Sequence, residues 1–424
     1  MKKTNKIIFV IAVLIICGIG VMGNGNGHKS GKGAGDYKKE TVESGVKKVD
    51  AAAKGPGPFS TLSPYEEKYI DIRQNGLCYY KTTAVNIWDD PEKMGFEYDD
   101  PVYQLIAFEQ EFDEKGNAKY TDIVVPEEID DIPVINSLSF AGHYEIKSLR
   151  IKARYSCENI IYSRGYVREG SLMGCTNLEH YEIPLTITSL DYDTFKGCNA
   201  LTTLNIPKNV ENIDENAFRG CNHLKTITFD KFSNLYNADG LRKLSWWKEH
   251  TQENGMTIYE KCLLDAGKKG GTITLRGNKV EKILFGAFRK SKAKIIRLEN
   301  VKEMSVGALL NSNAQKVILG KGTKTIPSQC FYGNKKLKEI RITSKEKIIW
   351  GKSSNSKDNH YMTVGLEKEA LNQKVDIYIY SEKLDQKSLH KANFSAKKIT
   401  LHVPAKMVSK YRDCVECKVV ALKK

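Results

Sequence analysis

The chain has 424 residues, of which 41% are hydrophobic and 9% aromatic, and its formal net charge at pH 7 is +15. These fractions supply enough apolar side chain for a continuous core, in two or three compact domains or in one long repeat array. The positive charge alone is typical of a nucleic-acid-binding protein, but the first residues predict export, which excludes cytoplasmic nucleic acid as the natural partner.

Residues 1–24 are predicted to form a signal peptide. Three lysines precede an apolar run from Ile7 to Met22, and small residues suited to cleavage follow that run. An uncleaved anchor is the alternative, because the run is only slightly shorter than a membrane span. In both cases the rest of the chain is expected to be secreted or on the cell surface, and it would touch a membrane only through a retained N-terminal segment.

Residues 25–63 are predicted to be a flexible tether, since they are rich in Gly, Lys and Ser and lack any apolar period. Residues 64–120 are predicted to be an N-terminal β cap. One hairpin is expected to turn at Asn75-Gly76, and a second pair of strands is expected to turn at residues 113–117. Such a cap covers the first rung of a repeat array, which would otherwise expose an edge strand.

The segment from Leu172 to Phe229 repeats itself with a period of 23 residues. One unit, which begins at Leu201, reads L-x-x-L-x-I-P-x-x-V-x-x-I-x-x-x-A-F-x-G-C. Apolar residues fixed in phase at such a period predict a solenoid, because each turn must stack on the next to bury its apolar side. The cysteines that recur at this spacing are Cys175, Cys198 and Cys221.

Within one unit, the alternation from Thr203 to Ile206 predicts a short strand with two inward and two outward side chains. Pro207 is expected to end this strand, since proline lacks the backbone donor that a ladder needs. The three cysteines share one phase on rungs about 5 Å apart. Stacked parallel side chains seldom reach the torsion of a disulfide, so buried free thiols are predicted.

The unit resembles the BspA-type leucine-rich repeat of secreted and surface proteins, which occurs mainly in bacteria and in some parasitic protists. The stretch from Asp122 to Phe140 resembles the opening unit of that family, and the stretch from Val403 to Leu422 resembles its usual ending. The resemblance covers most of residues 70–422. It implies a β-rich solenoid of BspA-like leucine-rich repeats, with the N-terminal β cap and with short inserted hairpins.

One inserted hairpin is expected after the first repeats, where Trp246, Trp247, Gly255 and Tyr259 match a hairpin that members of the resembled family carry between units. The two tryptophans are predicted to fasten this hairpin to the solenoid, and an exposed carbohydrate platform is the alternative. The predicted segments are a first repeat block at 121–230, the inserted hairpin at 231–271, a second repeat block at 272–350, and terminal repeats with a C-terminal cap at 351–424.

Catalytic and metal-binding motifs were not found in the sequence. It contains neither HExxH nor G-x-S-x-G, and its eight histidines lack metal-ligand spacing. No enzymatic activity and no cofactor are therefore predicted. Cys414 and Cys417 are expected to be either a local disulfide or surface thiols.

Stacked strands form an extended, concave sheet in which two side chains of each rung point outward. The resemblance implies that this sheet binds a protein or glycan outside the cell, in adhesion or host-factor binding. The alternative is a structural envelope protein that is held electrostatically to anionic wall polymer. The outward positions are His180, Glu182, Thr203, Asn205, Thr226, Thr228, Thr272, Thr274, Ile295, Arg297, Lys316, Ile318, Glu339, Arg341, Thr400 and His402.

The charges are distributed unevenly along the chain. Residues 88–145 hold 16 acidic residues against 3 lysines, a net of −13, whereas residues 267–352 hold 21 basic residues against 5 glutamates, a net of +16. Stacking would gather the basic residues into a band that could dock on teichoic acid or a sulfated glycan, although a merely well-solvated surface is the alternative. The candidates for polyanion contact are Lys292, Lys294, Arg297, Lys316, Lys338 and Arg341.

Overall fold

The computed structural model divides the chain into two units, one of residues 1–54 and 82–101 and the other of residues 55–81 and 102–424. The predicted signal peptide and tether lie outside the described residues. In the first unit, the backbone N–H of Ala84 donates to the carbonyl of Asp100 at 2.9 Å. Where the structure describes the chain, it contains no helix long and apolar enough to cross a membrane. The described residues are 70–84, 92, 95–136, 138–153, 155–156, 166–167, 172–352, 364, 366, 374–391 and 398–423.

The regular elements are mostly short strands. In chain order they are β1 (Ile72–Gln74), β2 (Leu77–Thr83), β3 (Pro101–Phe108), β4 (Asp122–Val125), β5 (Glu128–Ile129), β6 (Ile132–Asn136), β7 (Ser148–Ile151), β8 (Tyr155–Ser156), β9 (Tyr166–Val167), β10 (His180–Glu182), β11 (Ser189–Leu190), β12 (Thr203–Ile206), β13 (Asn212–Ile213), β14 (Thr226–Phe229), α1 (Ser245–Glu249), β15 (Thr257–Tyr259), β16 (Cys262–Asp265), β17 (Gly270–Arg276), β18 (Lys282–Ile283), β19 (Lys292–Glu299), β20 (Glu303–Met304), β21 (Lys316–Leu319), β22 (Thr325–Pro327), β23 (Glu339–Ile342), β24 (Ile349–Lys352), β25 (Val375–Ile379), α2 (Gln386–Lys391), β26 (Ile399–Val403), α3 (Val408–Arg412) and β27 (Lys418–Ala421). Short 3₁₀ turns cover Phe232–Asn234, Asp239–Lys243 and Ala405–Met407.

The second unit is a β-solenoid of about ten turns. We call the longer strands that recur once per turn the front strands, and the short strands of the returning limb the back strands. The front strands form the sheets β10-β7-β4, β12-β14 and β17-β19-β21-β23-β25-β26-β27, and all of their described pairings are parallel. The back strands form the sheets β13-β11-β9, β15-β16-β18-β20 and β22-β24.

The predicted phase of the 23-residue unit is confirmed. Leu204 and Ile206 are buried on β12, while Thr203 and Asn205 are exposed on the other side of that strand. At the end of the unit, Gly220 has a φ of 82°. A Cβ there would lie 3.4 Å from the backbone nitrogen of Gly197 in the preceding turn, so a left-handed turn and close stacking both favour glycine.

The core lies between the front and back limbs of the second unit. Its apolar side chains form two clusters. One reaches from Leu77 to Leu284 and includes Trp246 and Trp247 of α1, and the other contains the later turns from Leu263 onward. Near the ends of two successive units, the buried rings of Phe195 and Phe218 stack on each other with ring centroids 5.3 Å apart. Each turn therefore buries apolar surface that it could not bury alone.

The N-terminal cap contains one of its two predicted hairpins. Strands β1 and β2 are antiparallel, and their turn places Asn75 and Gly76 at φ values of 51° and 79°. The predicted turn at residues 113–117 also forms, with the backbone N–H of Asp113 donating to the carbonyl of Asn117 at 2.9 Å. However, the second pair of strands was wrongly predicted. Strand β3 pairs in parallel with β6, and beyond the turn there is only an isolated bridge, because Gln110 and Tyr120 hold the returning segment by other hydrogen bonds.

The cysteines of the repeat are buried and free, as predicted. Each thiol donates to a carbonyl oxygen of the preceding turn, from Cys198 to Leu172 at 3.2 Å and from Cys221 to Phe195 at 2.9 Å. Of the pair near the C-terminus, Cys417 belongs to the core and Cys414 is half-buried, and neither forms the disulfide that was one expectation. All of the described cysteines are free thiols.

Thiol reagents are expected to leave Cys175, Cys198 and Cys221 unmodified in the folded protein at neutral pH. Burial raises the pKa of Cys175 and of Cys221 to about 12, so the reactive thiolate is scarce as well as inaccessible. Mass spectrometry after labelling with and without denaturant measures this, and the half-buried Cys414 is the internal control. A native crosslink between Cys198 and Cys221 would contradict the prediction.

Candidate binding surface

The predicted outward residues lie on the front strands and are aligned by strand register. On β12 and β14, Thr203 pairs with Thr226 and Asn205 pairs with Thr228. The seven-stranded sheet continues this arrangement in two rows. The first row contains Thr272, Ile295, Lys316, Glu339, Asp376, Thr400 and Lys418. The second row contains Thr274, Arg297, Ile318, Arg341, Tyr378, His402 and Val420.

The early front strands form a shallow polar groove with a volume of about 300 Å³. Thr228 donates its hydroxyl to the side-chain oxygen of Asn205 at 2.8 Å, and Asn205 donates its amide to Asp230 at 3.0 Å. The groove is thus a surface of satisfied hydroxyl, amide and charged groups, which suits hydrogen bonding to a ligand. It is lined by the predicted residues His180, Glu182, Thr203, Asn205, Thr226 and Thr228, together with Ser148, Leu149, Arg150, Tyr181 and Leu204.

The later front strands carry a column of stacked polar rings. The guanidinium carbon of Arg341 lies 4.8 Å from the ring centroid of Tyr378. On the other side of Tyr378, the ring of His402 stacks at 4.3 Å with an interplanar angle of 11°. This column forms because adjacent strands are about 4.8 Å apart, a distance that also suits stacking of planar side chains.

Carboxylates flank this column and fix its polar atoms. The His402 Nε2 lies 2.8 Å from an oxygen of Asp376, which is on the neighbouring strand. Glu339 forms ion pairs with Lys316, at 2.8 Å, and with Arg341. Burial favours a higher pKa for Glu339, but hydrogen bonds from Lys316 and Arg341 outweigh burial and hold its pKa below the usual value. Glu339 therefore remains charged and offsets one of the two positive charges of Lys316 and Arg341, so the three side chains together keep a net positive charge.

The other polyanion candidates are placed differently. Lys292, Lys294, Arg297 and Lys338 are exposed, and within the described part of the chain none of them forms an ion pair. Arg297 lies on the front face, whereas the three lysines lie where front strands begin. The six predicted residues therefore do not form one continuous site.

Besides Lys418 and Val420 on β27, the two rows of the front face contain two residues that were not among the predicted candidates, namely Asp376 and Tyr378 on β25. Their signal was present in the sequence, because Val375, Ile377 and Ile379 alternate with them and are buried on β25. Applying the same inward and outward alternation to this strand would have identified both.

The inserted segment fastens itself to the solenoid, as predicted. Trp246 and Trp247 are 3% and 9% exposed, so the alternative of an exposed carbohydrate platform is excluded for them. Both lie on the short helix α1 and not on β15 or β16, the antiparallel strands of the hairpin. The Trp246 ring lies 5.6 Å from that of Phe229 on front strand β14 and 5.1 Å from that of Tyr259 within the segment, and this aromatic packing joins the segment to the solenoid.

In the part of the chain that the structure describes, no group of three or more His, Cys, Asp or Glu side chains is placed to hold a metal ion. The front face therefore offers hydrogen bonds, charges and stacked rings. These groups are suited to recognising a macromolecule.

Three of the solved structures to which the chain is similar are surface or repeat proteins. The pneumococcal vaccine antigen PcpA is 13% identical, with 83% of this chain and 98% of that chain covered and a TM-score of 0.32. A leucine rich cell surface protein from Faecalibacterium prausnitzii A2-165 is 14% identical, with 86% and 99% covered and a TM-score of 0.30. A leucine-rich repeat protein from Bacteroides ovatus ATCC 8483 is 16% identical, with 71% and 84% covered and a TM-score of 0.23.

No curated protein matches the chain. The family model described as BspA type Leucine rich repeat region matches in six copies, at residues 134–240 and 256–360. These ranges contain 107 and 105 of the 424 residues. Because the match covers half of the chain, the protein belongs to the BspA-type leucine-rich repeat family.

Proposed function

We propose that this protein works outside the cytoplasm, secreted or on the cell surface, and binds another macromolecule through its front face. The family is one of surface proteins, and two of the similar structures are described as a vaccine antigen and a cell surface protein. The ligand is proposed to be a protein in adhesion or host-factor binding, without catalysis. The observation that carries this proposal is the column formed by Arg341, Tyr378 and His402 on the seven-stranded sheet.

The column has the composition of an interface hot spot. Tyrosine and arginine contribute most often to binding energy at protein interfaces. Here their positions are fixed by stacking and by the parallel ladder, so a ligand would meet side chains that lose little conformational entropy on binding. Glu339 and Asp376 add charged hydrogen-bond acceptors beside the rings.

The geometry favours a protein ligand over a glycan at this position. A sugar ring would stack on a free aromatic face. Both faces of Tyr378 are covered, one by Arg341 and the other by His402, which leaves the ring edge and the hydroxyl for contact with a ligand. An edge with a hydroxyl suits hydrogen bonding and edge contacts with protein side chains.

Replacing Tyr378 with alanine is expected to weaken ligand binding by about tenfold or more, the loss typical of a hot-spot residue. The measurement is capture of proteins from envelope and host-surface extracts by the immobilised chain, followed by titration of each captured protein. The control is Tyr332→Ala, since Tyr332 is an exposed tyrosine that does not lie on a front strand, whereas Tyr378 is half-buried on β25. A captured partner that binds wild type, Tyr378→Ala and Tyr332→Ala with equal affinity would contradict binding through the front face. A partner whose binding is lost after glycosidase treatment but not after protease treatment would contradict the proposal of a protein ligand.

Retention on an anionic envelope polymer is the second candidate function. It is supported by the +16 net charge of residues 267–352 and by the exposed lysines that carry no ion pair there. The front face contributes less to it than the sequence suggested, since the shared carboxylate of Glu339 offsets one of the two positive charges of Lys316 and Arg341.

A further inference from the structure

A row of exposed lysines follows one edge of the seven-stranded sheet. Parallel strands begin at the same edge of a sheet, so the turns that lead into them are neighbours. We call this edge, with its lysines, the entry edge. Its lysines precede or begin the front strands β17, β19 and β23 and are all exposed: Lys268, Lys269, Lys290, Lys292, Lys294, Lys335, Lys336 and Lys338.

Backbone contacts place these lysines in adjacent rungs. Lys292 pairs with Gly270, which directly follows Lys269. Gln315 donates its N–H to the carbonyl of Lys294 at 2.8 Å, and Lys338 donates to the carbonyl of Gln315 at 2.8 Å. Lys294 and Lys338 are thus two rungs apart, or about 10 Å. The entry edge therefore presents positive charges at short intervals along the solenoid axis.

The entry edge has no compensating acidic residues of its own. Residues 267–271, 289–294, 312–316 and 334–338 contain no Asp or Glu. None of the eight lysines forms an ion pair within the described residues, in contrast to Lys316 and Arg341 on the front face. Unpaired charges on adjacent rungs repel one another, and a bound polyanion would relieve this repulsion.

An open groove of about 500 Å³ lies at one end of the entry edge, and Lys268, Lys269 and Lys290 line it. The hydroxyls of Thr251 and Thr257, 2.9 Å apart, also line it. Asp265 faces this groove too, but its carboxylate is paired with Arg242. Glu253 is an opposing charge at the lining, so the three lysines leave the groove with an excess of positive charge.

We propose that the entry edge binds a linear polymer that carries phosphate or sulfate ester groups, with one part of the polymer in the groove and the next part across the rungs to Lys338. Lysine ammonium groups are compact point charges on flexible stems, which suits ester anions spaced along a flexible chain. This inference rests on the second candidate function, retention on anionic polymer. It is independent of the front face and Tyr378.

The test compares variants of the full chain that lose the same net charge at different places. The entry-edge variant replaces Lys292, Lys294, Lys335 and Lys338 with glutamine. The matched control replaces exposed lysines that lie in the turns after front strands and form no ion pair within the described residues, which are Lys279, Lys321, Lys324 and Lys345. Binding to poly(glycerol phosphate) and to heparin is measured from about 0.1 M to about 1 M salt, over which the Debye length falls from about 10 Å to about 3 Å.

Wild type and the control variant are expected to bind with similar affinity. The entry-edge variant is expected to bind about tenfold more weakly, and its affinity should depend less steeply on salt because its binding releases fewer counterions. Binding of one polymer and not the other would support the proposal and identify the charged group as phosphate or sulfate. Equal losses in both variants would overturn the entry edge as the site and leave only net charge. Failure of wild type to bind either polymer would overturn the second candidate function itself. Unchanged thermal unfolding of both variants checks that they are folded.

Discussion

Replacing Phe218 with alanine is expected to lower the free energy of unfolding by about 3–5 kcal/mol. The Phe218 side chain is 3% exposed and stacks on Phe195 with an interplanar angle of 16°. Truncation removes this contact and leaves a cavity. The neighbouring backbone can collapse only partly into it, because parallel ladders fix the turns on both sides.

Urea denaturation followed by tryptophan fluorescence measures this loss. Trp246 and Trp247 belong to the same apolar cluster as Phe218, so their part of the signal reports on the affected turns, whereas Trp350 in the other cluster reports on later turns. The control is Thr203→Ala on the exposed side of β12, for which a change below about 0.5 kcal/mol is expected. Equal losses for the two variants would contradict the assignment of inward and outward positions.

The front face was largely predictable because its strands recur at a nearly constant spacing. Thr203 and Thr226 are separated by one period of the repeat. This spacing predicts that both point outward, and it also makes them direct partners on the paired parallel strands. The buried thiols followed from the same argument. Wherever a turn has a constant length, one unit of sequence specifies both the local strand and its partner.

Prediction failed where the spacing varies. Arg341 and Tyr378 are 37 residues apart, whereas Tyr378 and His402 are 24 apart, so no single period aligns the three side chains that stack. The pairing of β3 with β6 was missed for a related reason, since an alternating pattern predicts a strand but does not identify its partner. Helix α1 has only five residues, too few to show helical periodicity.

Ion pairs are the least predictable part of this molecule, because they join residues that no pattern relates. Asp239 pairs with Arg289, 50 residues away, and Arg242 pairs with Asp265, 23 residues away. This network lies at the inserted segment, where the repeat is interrupted. Its position suggests a structural role that can be measured.

Replacing Asp239 with asparagine is expected to lower the free energy of unfolding by about 3 kcal/mol, near the lower end of the range for breaking a buried ion pair. The Asp239 carboxylate accepts hydrogen bonds from Arg242 at 2.6 Å and from Arg289 at 2.8 Å, and its side chain is 7% exposed. Asparagine keeps the shape of the side chain but removes its negative charge. The guanidinium groups of Arg242 and Arg289 would then remain partly buried with less negative charge beside them. The loss falls near the lower end because Arg289 is 30% exposed and can recover hydration.

The matched control is Glu281→Gln, since Glu281 also joins two cations but does so at the surface. It accepts hydrogen bonds from Lys261 at 2.9 Å and from Lys302 at 2.8 Å, and both lysines are well exposed. Water can replace these bonds after substitution, so a far smaller loss is expected for Glu281→Gln than for Asp239→Asn when both are measured by urea denaturation at the same ionic strength. If the two variants lost equal stability, burial would not determine the strength of the Asp239 network. If Asp239→Asn lost no stability, the ion pair between Arg242 and Asp265, which that variant retains, would suffice to join the inserted segment to the solenoid.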